Sequence, residues 1–301
     1  MDAWSPLDAV RAWKGFDRWR GRWPGAGDRP RVFAFGSCRV HDPLAAAHRM
    51  GTVDPLARHI RAPWPIFVHD IRETLQLARL LAGEAVLPDD IAPFVFRGGW
   101  RPPPRPALLA AAGCVVVEVC TDRHYGAMGH ALNINEIHRQ IVEPAGEAGT
   151  AWWADAHAGH APAAAVVEAA EQALRRSGRL TPMHERLLRE IVLVTLSAAE
   201  IADGLAELHR RLAIPILVVP HVAVRLPDGT LLAERVAHIE KVIEAARQAG
   251  MPVLNPRSFV GRDGQSRAMG DRGRDFHHYA TDYLPVVGSE IVLAIVCALD
   301  F

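Results

Sequence analysis

The sequence has no excess of charge: 34 Lys and Arg balance 34 Asp and Glu over 301 residues. Nothing global therefore draws it to nucleic acid or to an anionic membrane. Cysteine is scarce, with only Cys38, Cys114, Cys120 and Cys297. They are too few and scattered for a disulfide framework, and no CxxC pair points to zinc or a redox dithiol. Cys114, Cys120 and Cys297 stand in apolar runs and read as buried small hydrophobes. No run of about eighteen apolar residues occurs, so no transmembrane helix is expected. Residues 1–30 carry Trp4, Trp13, Trp19 and Trp23 among Arg and Lys. They have no apolar core of the secretory kind and read as a helical segment on the domain surface, or as an interfacial membrane contact. A reducing, cytoplasmic setting is expected. No internal repeat and no linker stands out, so residues 31–301 are expected to form one domain.

What is present is an alternation of apolar strands and helices. Arg31–Gly36 reads as the first strand and Pro65–Val68 as the second. Cys114–Cys120 is apolar almost throughout, which marks a strand buried on both faces. Ile214–Val219 and Met251–Leu254 complete five. Asp42-Pro43 reads as an N-cap and a first-turn proline opening a helix over Leu44–Met50. Ile71–Leu81, Leu232–Ala249 (closed by Gly250) and Pro285–Leu299 read as further helices. Thr181–Leu212 reads as one long helix or two, with Pro182 near its start. Gly98–Pro106 and Phe259–Arg274 read as loops. The expected fold is an α/β open sheet, mostly parallel and five-stranded, with helices on both faces in a flavodoxin-like three-layer arrangement. A helical insert over residues 133–212 is its candidate subdomain or lid.

In such sheets ligands sit at the carboxyl ends of the strands. Those ends here offer Ser37, Cys38, Arg39 and His41, then His69 and Asp70, then Glu118, Thr121, Asp122, Arg123 and His124, then His221. The last loop adds Asp275, His277 and His278. A thiol at a helix N-terminus feels the positive end of the dipole, which together with Arg39 and His41 is expected to lower the pKa of Cys38. Asp275, three residues before His278, can orient that imidazole as a general base. Backbone N–H groups at the same helix end can hold an oxyanion. Glu118, inside Val-Val-Val-Glu-Val, must be paired or protonated if buried. It reads either as a salt bridge to Arg39 or Arg123, or as a second acid/base with a raised pKa. Ser37 alone is also a natural helix cap. His157 and His160 with Asp155, or His69 and His221 with His278, are the alternatives for a metal.

Phe35-Gly36-Ser37-Cys38 and Arg274-Asp275-Phe276-His277-His278-Tyr279 resemble the Gly-Asp-Ser opening and the Asp-x-x-His closing blocks of SGNH (GDSL-like) hydrolases. Gly-Ser-Cys is similar to the opening of the GSCFA-type branch. It is also similar to the Gly-Asn-Cys block of capsule-polysaccharide acetyltransferase-like proteins. The resemblance implies an ester hydrolase or acyltransferase working through a covalent acyl-enzyme. Cys38 falls in the nucleophile slot with Ser37 as the fallback, and Asp275 and His278 form the base pair. Arg39, His41, His69, Glu118, Thr121, His124, His221 and His277 would line the pocket for a small-molecule or saccharide substrate. No cofactor is expected beyond acyl-CoA as a co-substrate. One alternative is an acyl-CoA-dependent saccharide O-acetyltransferase. Another is an inactive fold of this kind that only binds.

Overall fold

A computed structural model describes residues 29–299. The N-terminal segment expected to be helical lies outside the described residues up to position 28. In chain order the strands are β1 (Arg31–Phe35), β2 (Asp54–Pro55), β3 (Cys114–Val119), β4 (Arg123–Ala127), β5 (His130–Leu132), β6 (Val192–Thr195) and β7 (Ile216–Pro220). The main helices are α1 (Cys38–Arg49), α2 (Ile71–Ala82), α3 (Glu143–His157, broken at Gly146), α4 (Ala164–Arg176), α5 (Pro182–Glu190), α6 (Ala198–Leu212), α7 (Ala233–Gln248) and α8 (Leu284–Leu299).

The described residues form two compact units. The first takes the chain up to Arg61, then Pro106–Cys120, then everything from Ser197. The second takes Ala62–Arg105 and Thr121–Leu196. The first unit holds a four-stranded parallel sheet in the order β2-β1-β3-β7. The expected α/β class stands, with two changes to the strand set. The second strand is Asp54–Pro55, not Pro65–Val68, which lies in the second unit and pairs with nothing in a ladder. Pro65 has no N–H to donate to one. The expected fifth strand shrinks to one parallel bridge, Val218 to Val253. The sheet winds outward from β1 in opposite directions, to β2 on one side and β3 on the other. The crevice of a doubly wound sheet therefore opens at the carboxyl ends of β1 and β3.

The period-two alternation of strands sends Val32, Ala34, Cys114, Val116, Leu217 and Val219 to one face. There they pack with Leu44 of α1 and Tyr283, Ile291 and Ile295 at the C-terminal end in one apolar cluster. Helices α1 and α8 touch so closely that a Cβ on Gly288 would stand 2.4 Å from the Pro43 carbonyl oxygen. Helix α7 packs on β7, and α6 on α7.

Helix α1 begins at Cys38, earlier than the expected Leu44. Ser37, in an extended conformation, is its N-cap, and Pro43 lies inside it. The cap wins because Ser37 Oγ accepts from Arg39 N–H, while Pro43 costs the helix only the donor for the Arg39 carbonyl.

The second unit is helical around a three-stranded antiparallel sheet, β5-β4-β6. Its α2 matches the expected helix and is capped by Asp70, whose Oδ1 accepts from Arg72 and Glu73 N–H at 2.7 and 2.9 Å. The stretch expected as one long helix or two is two helices with a strand between them. β-Branched Val192, Val194 and Thr195 supply that strand, and a capping box of Ser197 and Glu200 opens α6. The expected loop Phe259–Arg274 carries three short helical turns.

Candidate active site

Ser37, Arg39 and Glu118 form a closed ionic cluster where β1 meets α1. Glu118 Oε2 accepts from Ser37 N–H at 2.8 Å and from Ser37 Oγ at 2.7 Å. Its Oε1 accepts from Arg39 Nε at 2.5 Å. Burial works against the Glu118 carboxylate, but Arg39 and the two Ser37 donors hold it below its ordinary value. Of the two sequence readings of Glu118, the salt bridge to Arg39 is therefore the one formed, and a raised pKa is not. Gly36 is required here. Its φ is +153°, and a Cβ would fall 2.6 Å from the Glu118 Cβ. Cys120 joins the cluster, since Ser37 and Glu118 hydrogen-bond its thiol, and burial pushes that thiol well up. This corrects the reading of Cys120 as a plain buried hydrophobe. Cys297 is exposed, and only Cys114 is buried as expected.

Cys38 is the first residue of α1 and is partly buried. Its N–H has no partner among the described residues, because Ser37's carbonyl and hydroxyl take the next three N–H groups. The expected lowering of its pKa does not occur. Burial pushes the thiol up, Arg39 pulls it down, and Asp42 and Glu118 push it further up. Arg39 is the largest opposing influence, helped by a hydrogen bond from Ser37, and the two do not overcome burial. His41 adds no charge near neutral pH, since loss of water brings its imidazole down to about 4.

The last loop brings Asp275 and His278 together. Asp275 Oδ2 lies 2.9 Å from His278 Nδ1, and its Oδ1 accepts from the N–H groups of His277 and His278 at 2.8 and 3.0 Å. Burial raises the Asp275 pKa, but these hydrogen bonds and His278 bring it below its ordinary value. His278 Nε2 carries no hydrogen bond from the described residues. The loop is fastened to α1 by Arg39 Nη1 donating to the His277 carbonyl at 3.3 Å. Two electrostatic neighbourhoods overlap at Asp42, which feels His278 and is felt by Cys38. Tyr279, buried beside them, feels Arg39, Glu118 and Cys38. His221 and His277 stack edge-on at 6.4 Å, and burial lowers the pKa of both. Arg235 donates to the Phe276 carbonyl at 2.6 Å, and burial with the nearby Arg39 brings it down to about 10.

Nine of the expected site residues thus belong to the first unit: Ser37, Cys38, Arg39, His41, Glu118, His221, Asp275, His277 and His278. The other three belong to the second unit, in a network of their own. His124 Nδ1 lies 3.0 Å from Asp70 Oδ2. Thr121 N–H donates to the His69 carbonyl at 3.1 Å, and Thr121 Oγ1 accepts from Arg123 N–H. His69 Nδ1 lies 3.6 Å from Glu73, and Asn133 bridges Glu73 to the Phe67 carbonyl. Sequence reasoning missed Asp42, Cys120, Tyr279 and Arg235. Only Asp42 carried a signal, four residues after Cys38 on one helix face. His157 is drawn into an aromatic cluster, its Nδ1 2.6 Å from Tyr125 Oη and its ring against Trp153, away from any metal role with His160. Among the described residues no three His, Cys, Asp or Glu side chains stand together as a metal-ligand set.

Residues 30–294 match the family described as the TviD N-terminal domain. A curated relative, "Vi polysaccharide biosynthesis protein TviD" of Salmonella typhi, is 24% identical over 274 residues, covering 87% of this chain and 30% of that protein. The chain therefore spans less than a third of that relative's length. No solved structure matches. The chain belongs to the TviD N-terminal domain family.

Proposed function

We propose that this family member is an acyltransferase that carries an acyl group as a thioester on Cys38 and delivers it to a saccharide hydroxyl. Ester hydrolysis is the same chemistry with water as acceptor. One observation carries the reading. The loop that carries the Asp275–His278 pair is fastened to α1 through Arg39, the residue that follows Cys38 in the chain, at the crevice of a doubly wound sheet. The saccharide acceptor rests on the printed role of the relative in polysaccharide biosynthesis. The SGNH-like order of blocks, nucleophile first and Asp-x-x-His last, supports the same assignment.

In this mechanism His278 Nε2 takes the Cys38 proton as Sγ attacks the acyl carbonyl. The oxyanion forms against the Cys38 N–H. When the carbonyl reforms, the donor's leaving group departs with the proton from His278. The acceptor hydroxyl then gives its proton to His278, attacks the thioester, and collapse returns the proton to Sγ. Asp275 fixes the tautomer that leaves Nε2 free to accept. Ser37 and Glu118 hold α1 in place and take no proton. A general base is needed because the Cys38 thiol is raised and stays protonated near neutral pH. Arg235, half-buried and without a carboxylate partner among the described residues, suits an anionic donor such as acyl-CoA.

The test is intact mass and peptide mapping after brief exposure to acetyl-CoA and, separately, p-nitrophenyl acetate. An acetyl group on Cys38 that passes to a saccharide in wild type, and that forms far more slowly in His278→Ala, is the expected result. Unchanged acetyl transfer in Cys38→Ala, Ser37→Ala overturns it.

A further inference from the structure

Two guanidinium groups hold the last loop by consecutive carbonyls. Arg39 Nη1 donates to the His277 carbonyl at 3.3 Å, and Arg235 Nη1 donates to the Phe276 carbonyl at 2.6 Å. Their charges are served differently. Arg39 is paired with Glu118. Arg235 has no carboxylate partner among the described residues, although it is half-buried and feels the charge of Arg39. A carbonyl asks only for an N–H donor, so the Phe276 bond explains one nitrogen of Arg235 and leaves its charge unexplained. A half-buried charge beside a like charge is unfavourable, and native proteins as a rule pair the charges they bury.

The fork of Arg235 supplies the second observation. Nη1 is taken by Phe276, whereas Nε and Nη2 make no hydrogen bond to the described residues. Neither of these two atoms is sealed from solvent. Together they form the edge of a guanidinium that grips a carboxylate or a phosphate through two parallel bonds. Nearby carboxylates do not compete for it. Asp275 is occupied by the N–H groups of His277 and His278 and by His278 Nδ1. Glu234 precedes Arg235 on α7, and adjacent residues of a helix do not face each other.

We infer that the free edge of Arg235 binds an oxyanion group of the substrate, a phosphate or a carboxylate, beside the loop that carries His277 and His278. Arg235 is then a specificity-determining residue that selects a charged substrate over a neutral one. This deepens the acyl-transfer reading and rests on it for calling the ligand a substrate. A phosphate would belong to the acyl donor, and a carboxylate to an acidic acceptor or acyl chain.

Calorimetric titration of the full chain at constant ionic strength tests it with three probes that carry no transferable acyl group: inorganic phosphate, coenzyme A and succinate. At least one is expected to bind at or below about 10 mM and to weaken at least tenfold in Arg235→Gln. That variant keeps a donor for the Phe276 carbonyl and removes the charge. Coenzyme A bound more tightly than phosphate would assign the group to the donor, and binding of succinate alone would assign a carboxylate. Without ligand the Arg235→Gln melt should match wild type or exceed it, because a charge beside Arg39 is gone. If Arg235→Gln does not fold, Arg235→Lys decides, since it keeps the charge without the fork and should still weaken binding several-fold. A melt well below wild type with anion binding intact would make Arg235 a structural tie and overturn the proposal. So would equal binding in wild type and variant, or no binding of any probe up to about 100 mM. Because no probe can acylate Cys38, failure of this site and failure of the thioester mechanism are separable.

Discussion

Two Asp–His pairs in this chain have nearly the same bond and opposite settings. Asp275 and His278 meet at 2.9 Å with 31% and 61% of their side chains exposed. Asp70 and His124 meet at 3.0 Å with 0% and 8% exposed. The first pair is three residues apart on a loop, and the Nε2 of its imidazole carries no hydrogen bond from the described residues. The second spans fifty-four residues, and its carboxylate also caps α2 through Arg72 and Glu73 N–H. An Asp–His hydrogen bond is thus no signature of a general base by itself. A base also needs access to solvent and a nucleophile in reach, and on the proposed function only Asp275–His278 is asked to meet both.

The largest effect expected from this contrast is on turnover. His278→Ala should lower acyl transfer by about 10²–10⁴-fold, the usual worth of a positioned base. The midpoint of thermal unfolding should stay close to wild type, because an exposed loop side chain carries little packing. Steady-state transfer and a melt on the same sample check both halves. A large loss of stability in His278→Ala would erase the distinction between the pairs.

Next comes the cluster that holds Cys38 in place. Glu118→Ala strips Arg39 of its buried partner, which costs about 3–5 kcal/mol, measured by urea unfolding. The pH sign follows from a carboxylate held below its ordinary 4.5. Its stabilisation is full above that value and is lost as pH falls through the lower folded pKa. The acid limb of stability should therefore be flatter in Glu118→Gln than in wild type. Equal limbs would mean the ion pair contributes nothing.

Asp70→Ala should follow at about 2–3 kcal/mol, since it removes the cap of α2 and leaves the buried His124 Nδ1 unpaired. Chemical denaturation is again the measurement. A cost near zero would remove the structural role assigned to Asp70.

How much of this was legible in the sequence depended on separation along the chain. β1, β3, β7 and helices α2, α7 and α8 could be read from apolar runs and caps, because each is decided locally. Asp275 and His278 were legible for the same reason. The partnership of Ser37 with Glu118 spans eighty-one residues, and that of Asp70 with His124 fifty-four. No local pattern encodes either. The start of α1 was misplaced because Asp42-Pro43 and Ser37-Cys38 are both sound helix openings. The Ser37 cap on Arg39 N–H, held from behind by the distant Glu118 carboxylate, decides between them. Pro65–Val68 misled through apolar content alone, and the structure uses that content to wall a cavity in the second unit. The thiol's pKa was misjudged because Arg39 and His41 were counted as free charges. One is spent on Glu118 and the other is kept neutral by burial.

That last point gives the smallest and most direct test. Burial outweighs Arg39, so the Cys38 pKa lies above the ordinary 9.0 of a thiol. Only the thiolate is alkylated. The iodoacetamide rate at Cys38, followed by peptide mapping, should therefore rise about tenfold per pH unit from pH 7 through 9 with no plateau. A plateau below pH 8 would mean that the helix terminus prevails over burial, so that Cys38 is already a thiolate at rest. His278 would then serve as an acid toward the leaving group before it serves as a base. Arg39→Gln sharpens the result. It removes the one cation pulling the thiol down and leaves Glu118 unneutralised, so the rise should move to still higher pH. If instead the curve does not move, the Arg39 charge is fully absorbed by Glu118, and burial with Asp42 sets the thiol.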